Sequence, residues 1–292
     1  PLSPLALSLR HGKAHGSGTR QAQEYRLSFF RNSLVHLLIL IGAALALRSY
    51  TFGDPNLFID EAFYFAAGNA MHQGALPYVD VWDRKPSGLF ALYYLIAGIS
   101  TAPIAYQLAA ALFAALTAWI IGRIVALWSD WPGAVGAGIA YLFLLSAFQG
   151  FGGQTQVFYN LFIALAAWLV IHSAPALRSG KVPGAVPLAM LSAGIAITIK
   201  TTALFEAVFL GLYAVSALPR PQWLKQGFLW ALVGAAPTLL IAASYALIGH
   251  WSEYWQAMTR ANLSAARWDA YSAQIRLRLM LASLAPLLAV AA

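Results

Sequence analysis

Apolar runs of membrane-crossing length alternate with short polar segments along most of this 292-residue chain. The first covers residues 34–47. Later ones cover roughly 104–126, 133–148, 157–172, 184–199, 201–217 and 227–248, and a last begins near 279. Several approach the roughly 20 residues a helix needs to span a hydrocarbon core. The pattern predicts an all-α polytopic membrane protein.

Charge sets the expected orientation. Residues 1–32 carry Arg10, Lys13, Arg20, Arg26 and Arg31 against the single acid Glu24, which places this segment in the cytoplasm by the positive-inside rule. Ala44-Leu45-Ala46 has the form of a signal-peptidase site, but the basic region before it is long for a signal peptide. An uncleaved first helix is therefore the reading taken. Arg178 with Lys181, and Arg220 with Lys225, mark two further cytoplasmic loops, and Arg123 ends another span on that side. The external segments are then 49–103, 149–156, the turn at Lys200, and 249–276.

Parity forces one further step. Residues 87–100 are apolar enough to pass for a crossing helix, yet a crossing there would turn every later basic loop outward. We read 87–103 as a juxtamembrane helix in the outer interface, a depth that suits Tyr93 and Tyr94. Residues 33–292 thus form one membrane domain behind the basic segment 1–32. Pro1 is not an initiator methionine, and residues 286–292 end within an apolar run, so a piece of a longer protein is expected.

Composition agrees. Hydrophobic residues make up 60% and charged residues 10%, outside the range of soluble globular domains. The net charge of +8 sits largely at the ends of apolar runs, so nucleic acid is not an expected partner. No cysteine is present, which excludes disulfides and thiolate metal sites.

The first external segment concentrates the chemistry. A short helix is predicted to begin near Asp60, with Glu61 beside it. Adjacent helical residues point about 100° apart, so the two cannot face one another, and carboxylates at a helix start also offset its dipole. Downstream, Tyr78, Asp80, Trp82, Asp83, Arg84 and Lys85 lie between Pro77 and Pro86. A salt-bridged loop, with Asp83 pairing Arg84 or Lys85, is the plain alternative to a binding site.

Asp60-Glu61 after the first helix, then Gly74-x-x-Pro77-Tyr78-x-Asp80 and Lys85-Pro86, resemble the polytopic GT-C glycosyltransferases. The likeness is greatest to bacterial enzymes related to protein O-mannosyltransferases and to the aminoarabinose transferase of lipid A. It implies a GT-C-type transmembrane bundle whose structured first external loop holds short juxtamembrane helices. It also implies a bacterial inner-membrane location and a sugar donor carried on polyprenyl phosphate. By this resemblance Asp60 is the catalytic carboxylate, Glu61 supports it, and Lys85 and Lys200 approach the lipid phosphate. Tyr64, Tyr78, Asp80, Asp83, Arg84, Gln156 and His250 are candidates for the substrate pocket.

The chain departs from the family in its second external loop. Gln156 stands where many relatives carry an acid. A neutral amide is a poor ligand for a divalent ion, so no cofactor is expected as a requirement and a divalent cation is doubtful. Glu206, a turn and a half beyond Lys200, needs a partner or a wet cavity. The segment 250–269, rich in Trp and Tyr, reads as an interfacial belt or a lid. His250 has no second histidine at metal-binding spacing. A non-catalytic alternative is a lipid-linked-sugar transporter or assembly partner, which would place charges near the midplane and break helices there. The acids gathered in one external segment favour the enzyme. Sugar and acceptor, whether glycan, lipid or protein, stay open.

Overall fold

The computed structural model describes residues 17–54, 59–265, 274–275, 277–282 and 285. Among them every regular element is helical. The order is α1 (Ser17–Arg48), α2 (Ile59–Met71), α3 (Ser87–Ala97), α4 (Ile104–Val125), α5 (Trp131–Ala147), α6 (Thr155–Arg178), α7 (Ala185–Ile199), α8 (Ala203–Ser216), α9 (Trp223–Leu247), α10 (Trp251–Trp255) and α11 (Ala261–Ala265). A single π-helical turn, Gln256–Arg260, joins the last two. Residues 277–282 are helical where the last span was expected. Arg10, Lys13 and the Arg267–Asp269 stretch lie outside the described residues.

Among the described residues, four helical segments are long and apolar enough to cross a membrane: Ser33–Thr51, Ile104–Val125, Thr155–Arg178 and Arg220–Leu247. The chain is an α-helical membrane protein. Three shorter apolar helices, α5, α7 and α8, complete the bundle. The 11 residues of α3 reach about 16 Å at 1.5 Å per residue, half a hydrocarbon core, so α3 does not cross. Helix α1 begins at Ser17, earlier than its apolar run.

Small residues bring the helices close. On α4, Ala110, Ala114 and Ala118 recur every fourth position, all fully buried. A Cβ at Gly194 would fall on the Gly234 carbonyl, so α7 and α9 cross backbone to backbone, the arrangement that favours packing without a hydrophobic driving force.

Contacts sort the connecting segments into two ends. At one, Arg48 closing α1 binds Gly150 and Gly152 between α5 and α6. Gln107, in the first turns of α4, accepts from Gly53 N–H at 2.7 Å, Gly88 of α3 abuts Thr198 near the end of α7, and Tyr245 near the end of α9 donates to the Pro77 carbonyl at 3.1 Å. At the other end, His36 meets Trp131, with ring centroids 6.5 Å apart. There Gln222 Nε2 donates to the Gly180 carbonyl at 3.2 Å, joining the two basic loops that carry Arg178 with Lys181 and Arg220 with Lys225. The segments sorted by charge thus share ends as expected.

One expectation needs correction. Tyr93 is not an interfacial ring but a core residue, fully buried. It packs edge-on against Tyr64 and Phe158 and donates to the Gly153 carbonyl at 2.6 Å. Tyr94, about 100° round α3, stays partly exposed and stacks on His72 at 4.0 Å.

Candidate functional site

Helix phase divides the two acids at the start of α2. Asp60, 58% exposed, turns outward and meets Lys85 Nζ at 3.8 Å. Glu61, 1% exposed, turns into the bundle. It accepts from the Gly153 backbone N–H and lies in the field of Arg48. That guanidinium donates to the Gly150 carbonyl at 2.9 Å and to the Gly152 carbonyl. Gly152 has a φ of +40° and passes so close to the Glu61 carboxylate that a Cβ would overlap it. Only glycine fits a turn that is both left-handed and pressed against a buried acid. Burial raises the Glu61 carboxyl to about 7, with the Gly153 N–H and Arg48 opposing and the Asp60 charge adding.

The loop after α2 is shaped by its own polar groups. Tyr78 takes a left-handed conformation, φ +71°, and is buried. Its hydroxyl donates to the Lys85 carbonyl at 2.8 Å and shares a hydrogen bond with Ser87 Oγ at 2.9 Å, which sets where Lys85 leaves the chain. Burial pushes its phenol well above the ordinary tyrosine range. Asp80 accepts from Leu76 N–H at 2.8 Å. Asp83 accepts from the backbone N–H groups of Arg84 and Lys85, at 2.5 and 3.1 Å. Asp83 therefore braces the loop, and the partner of Lys85 is Asp60 rather than Asp83.

Asp60, Asp83 and Arg84 line an open cleft of about 600 Å³ with Phe63 and Trp82. Trp82 is 58% exposed, a flat apolar face beside the charges. The ammonium of Lys85 lies 5.6 Å from the Tyr64 ring centroid, a cation–π distance. Tyr64 is buried, with its hydroxyl beside the Asp60 carboxylate. Burial and the Asp60 charge both raise that phenol. Asn262 Nδ2 donates to the Arg84 carbonyl at 3.2 Å, so the segment after α10 braces the same loop.

Lys200, at the end of α7, projects over Tyr159, 6.0 Å from its ring centroid. Burial lowers its pKa, the Lys85 cation lowers it further, and Glu206 opposes both. The two lysines therefore share one electrostatic field. Gln156 is occupied elsewhere: its Nε2 donates to the Gln149 carbonyl at 2.8 Å and its Oε1 accepts from Thr155 at 3.3 Å. His250 caps the start of α10 and lies 3.6 Å from Glu253, outside the cleft lining. Among the described residues no three His, Asp or Glu side chains converge as a metal site.

Arg48, Phe63 and Asn262 belong to this site and were not singled out from sequence. Arg48 carried a signal: an arginine on the outer end of a first span runs against the positive-inside rule, which points to a structural partner. Phe63 and Asn262 carried none.

Comparison of the chain with protein-family models, with curated proteins and with solved structures finds no match.

Proposed function

We propose that the chain is an inverting GT-C-type glycosyltransferase that moves a sugar from a polyprenyl-phosphate donor to an acceptor on the extracytoplasmic face. The observation that carries this reading is the Asp60–Lys85 pair, at 3.8 Å, on the rim of a cleft bearing an exposed tryptophan. A partly exposed ion pair is worth about 1 kcal/mol or less, so an arriving phosphate can displace Asp60 from Lys85 at small cost.

The chemistry then follows from charge. The donor phosphate settles on Lys85, with Lys200 as a second cation. Asp60, freed from its partner, accepts the proton of an acceptor hydroxyl as that oxygen attacks the anomeric carbon. The bond from that carbon to the phosphate oxygen breaks, and polyprenyl phosphate leaves with its negative charge stabilised by the lysines. Where the acceptor is itself a phosphate and already ionised, Asp60 orients it. Trp82 offers a face on which a sugar ring can stack. The basic loops at the far end of the bundle support this side for the cleft, with the N-terminus in the cytoplasm, and the resemblance implies a bacterial inner membrane.

The test uses purified protein and a radiolabelled polyprenyl-phosphate sugar. Asp60→Asn is expected to lower transfer by about 100-fold or more, and Lys85→Met to weaken use of the donor. Unchanged transfer in Asp60→Asn overturns the assignment.

A further inference from the structure

Glu206 stands in the first turn of α8, and its Oε2 is shielded from solvent with no hydrogen-bond partner. It opens on a groove of about 390 Å³ between α6 and α8, walled by Ile163, Ala167, Phe205, Phe209 and Leu210. Tyr159, Ile163 and Ala167 recur at four-residue spacing on α6, and Phe205 and Phe209 do so on α8, so each set forms one ridge along the seam. The seam carries charge at the end that bears Lys200. There Lys200 lies over Tyr159, and the Glu206 charge acts on both.

A carboxylate oxygen left unpaired against an apolar wall is costly. The groove therefore suits a ligand that brings a hydrogen-bonding cation to Glu206, an anion to Lys200 and a hydrocarbon chain to the seam. We propose that the α6–α8 groove binds a phospholipid with a primary-ammonium headgroup. The headgroup lies across the upper end of the groove, its ammonium on Glu206 and its phosphate at Lys200. One acyl chain runs down between Ile163, Ala167, Phe205 and Phe209. A choline headgroup has no N–H to donate, and a glycerol headgroup leaves Glu206 without a counter-charge, so the site selects the primary amine. Lys200 cannot serve two phosphates at once. A bound aminophospholipid therefore competes with the transfer donor for Lys200, while Lys85 stays with Asp60.

The test reads lipid binding alone and so stands apart from sugar transfer. The purified full chain is equilibrated with equimolar phosphatidylethanolamine, phosphatidylcholine and phosphatidylglycerol of identical acyl chains, and retained lipid is counted by native mass spectrometry. Wild type is expected to retain phosphatidylethanolamine about tenfold over the other two, the worth of one hydrogen-bonded charge contact. Glu206→Gln is expected to abolish that preference, and Ala167→Phe, which fills the wall, to lower retention of all three. Equal retention by wild type overturns the proposal, as does a preference that survives Glu206→Gln. A wild-type preference for phosphatidylglycerol overturns it too, since the groove would then read phosphate alone.

Discussion

Glu61→Gln tests the division of labour between the two acids of α2. The Glu61 carboxyl is raised from 4.5 to about 7 because burial outweighs the help of Gly153 and Arg48. The folded protein thus holds a proton that the unfolded chain releases. Stability from this group is fully present below pH 4.5 and is lost as pH rises to about 7. At 1.36 kcal/mol per pH unit the loss is about 3 kcal/mol. Glutamine keeps the shape and cannot ionise, so the variant should match wild type near pH 4.5 and exceed it by up to about 3 kcal/mol at pH 8. In detergent, tryptophan fluorescence during heating should show a melting gap on the order of 5 °C at pH 8, closing toward pH 5. A gap that is absent at pH 8, or of opposite sign, would show that Arg48 and Gly153 hold Glu61 ionised and that the burial argument fails.

Tyr93→Phe removes the donor to the Gly153 carbonyl while keeping the ring, and should cost about 1–3 kcal/mol by denaturant unfolding, since that buried oxygen loses its partner. At Gly88 a Cβ would lie 2.6 Å from the Thr198 carbonyl and 2.7 Å from its Cβ. Gly88→Ala should therefore push α3 off α7 and destabilise by about 1–3 kcal/mol. Adding Thr198→Ala should recover only part of that loss in the same assay, because the carbonyl remains.

The outline of the fold was legible because charge and length act locally. The basic loops mark which ends the segments share, and parity argues against a crossing at α3, whose 11 residues are too short for one. Asp60 and Lys85, 25 positions apart, were paired only through the resemblance, and the structure does bring them together. The inward turn of Glu61 was not legible. Spacing shows that neighbouring helical residues diverge, but which one meets the core depends on what packs against α2. That partner is Gly152 and Gly153, some 90 residues on. Tyr93 was misplaced for a related reason: an amphipathic ring suits an interface or a core with a carbonyl to bind, and local sequence cannot choose. The alternative of Asp83 paired with Lys85 does not form, because the Asp83 carboxylate is taken up by the backbone N–H groups of Arg84 and Lys85 while the ammonium meets Asp60.

The hold of Arg48 on two carbonyls, with Glu61 on the next amide, fastens the α5–α6 turn to the base of α2. The same contacts sit at the root of α6, the helix that carries Tyr159 beneath Lys200. The two outer excursions of the chain are therefore fastened at one point, so a change that loosens the Gly152–Gly153 turn also loosens the root of α2.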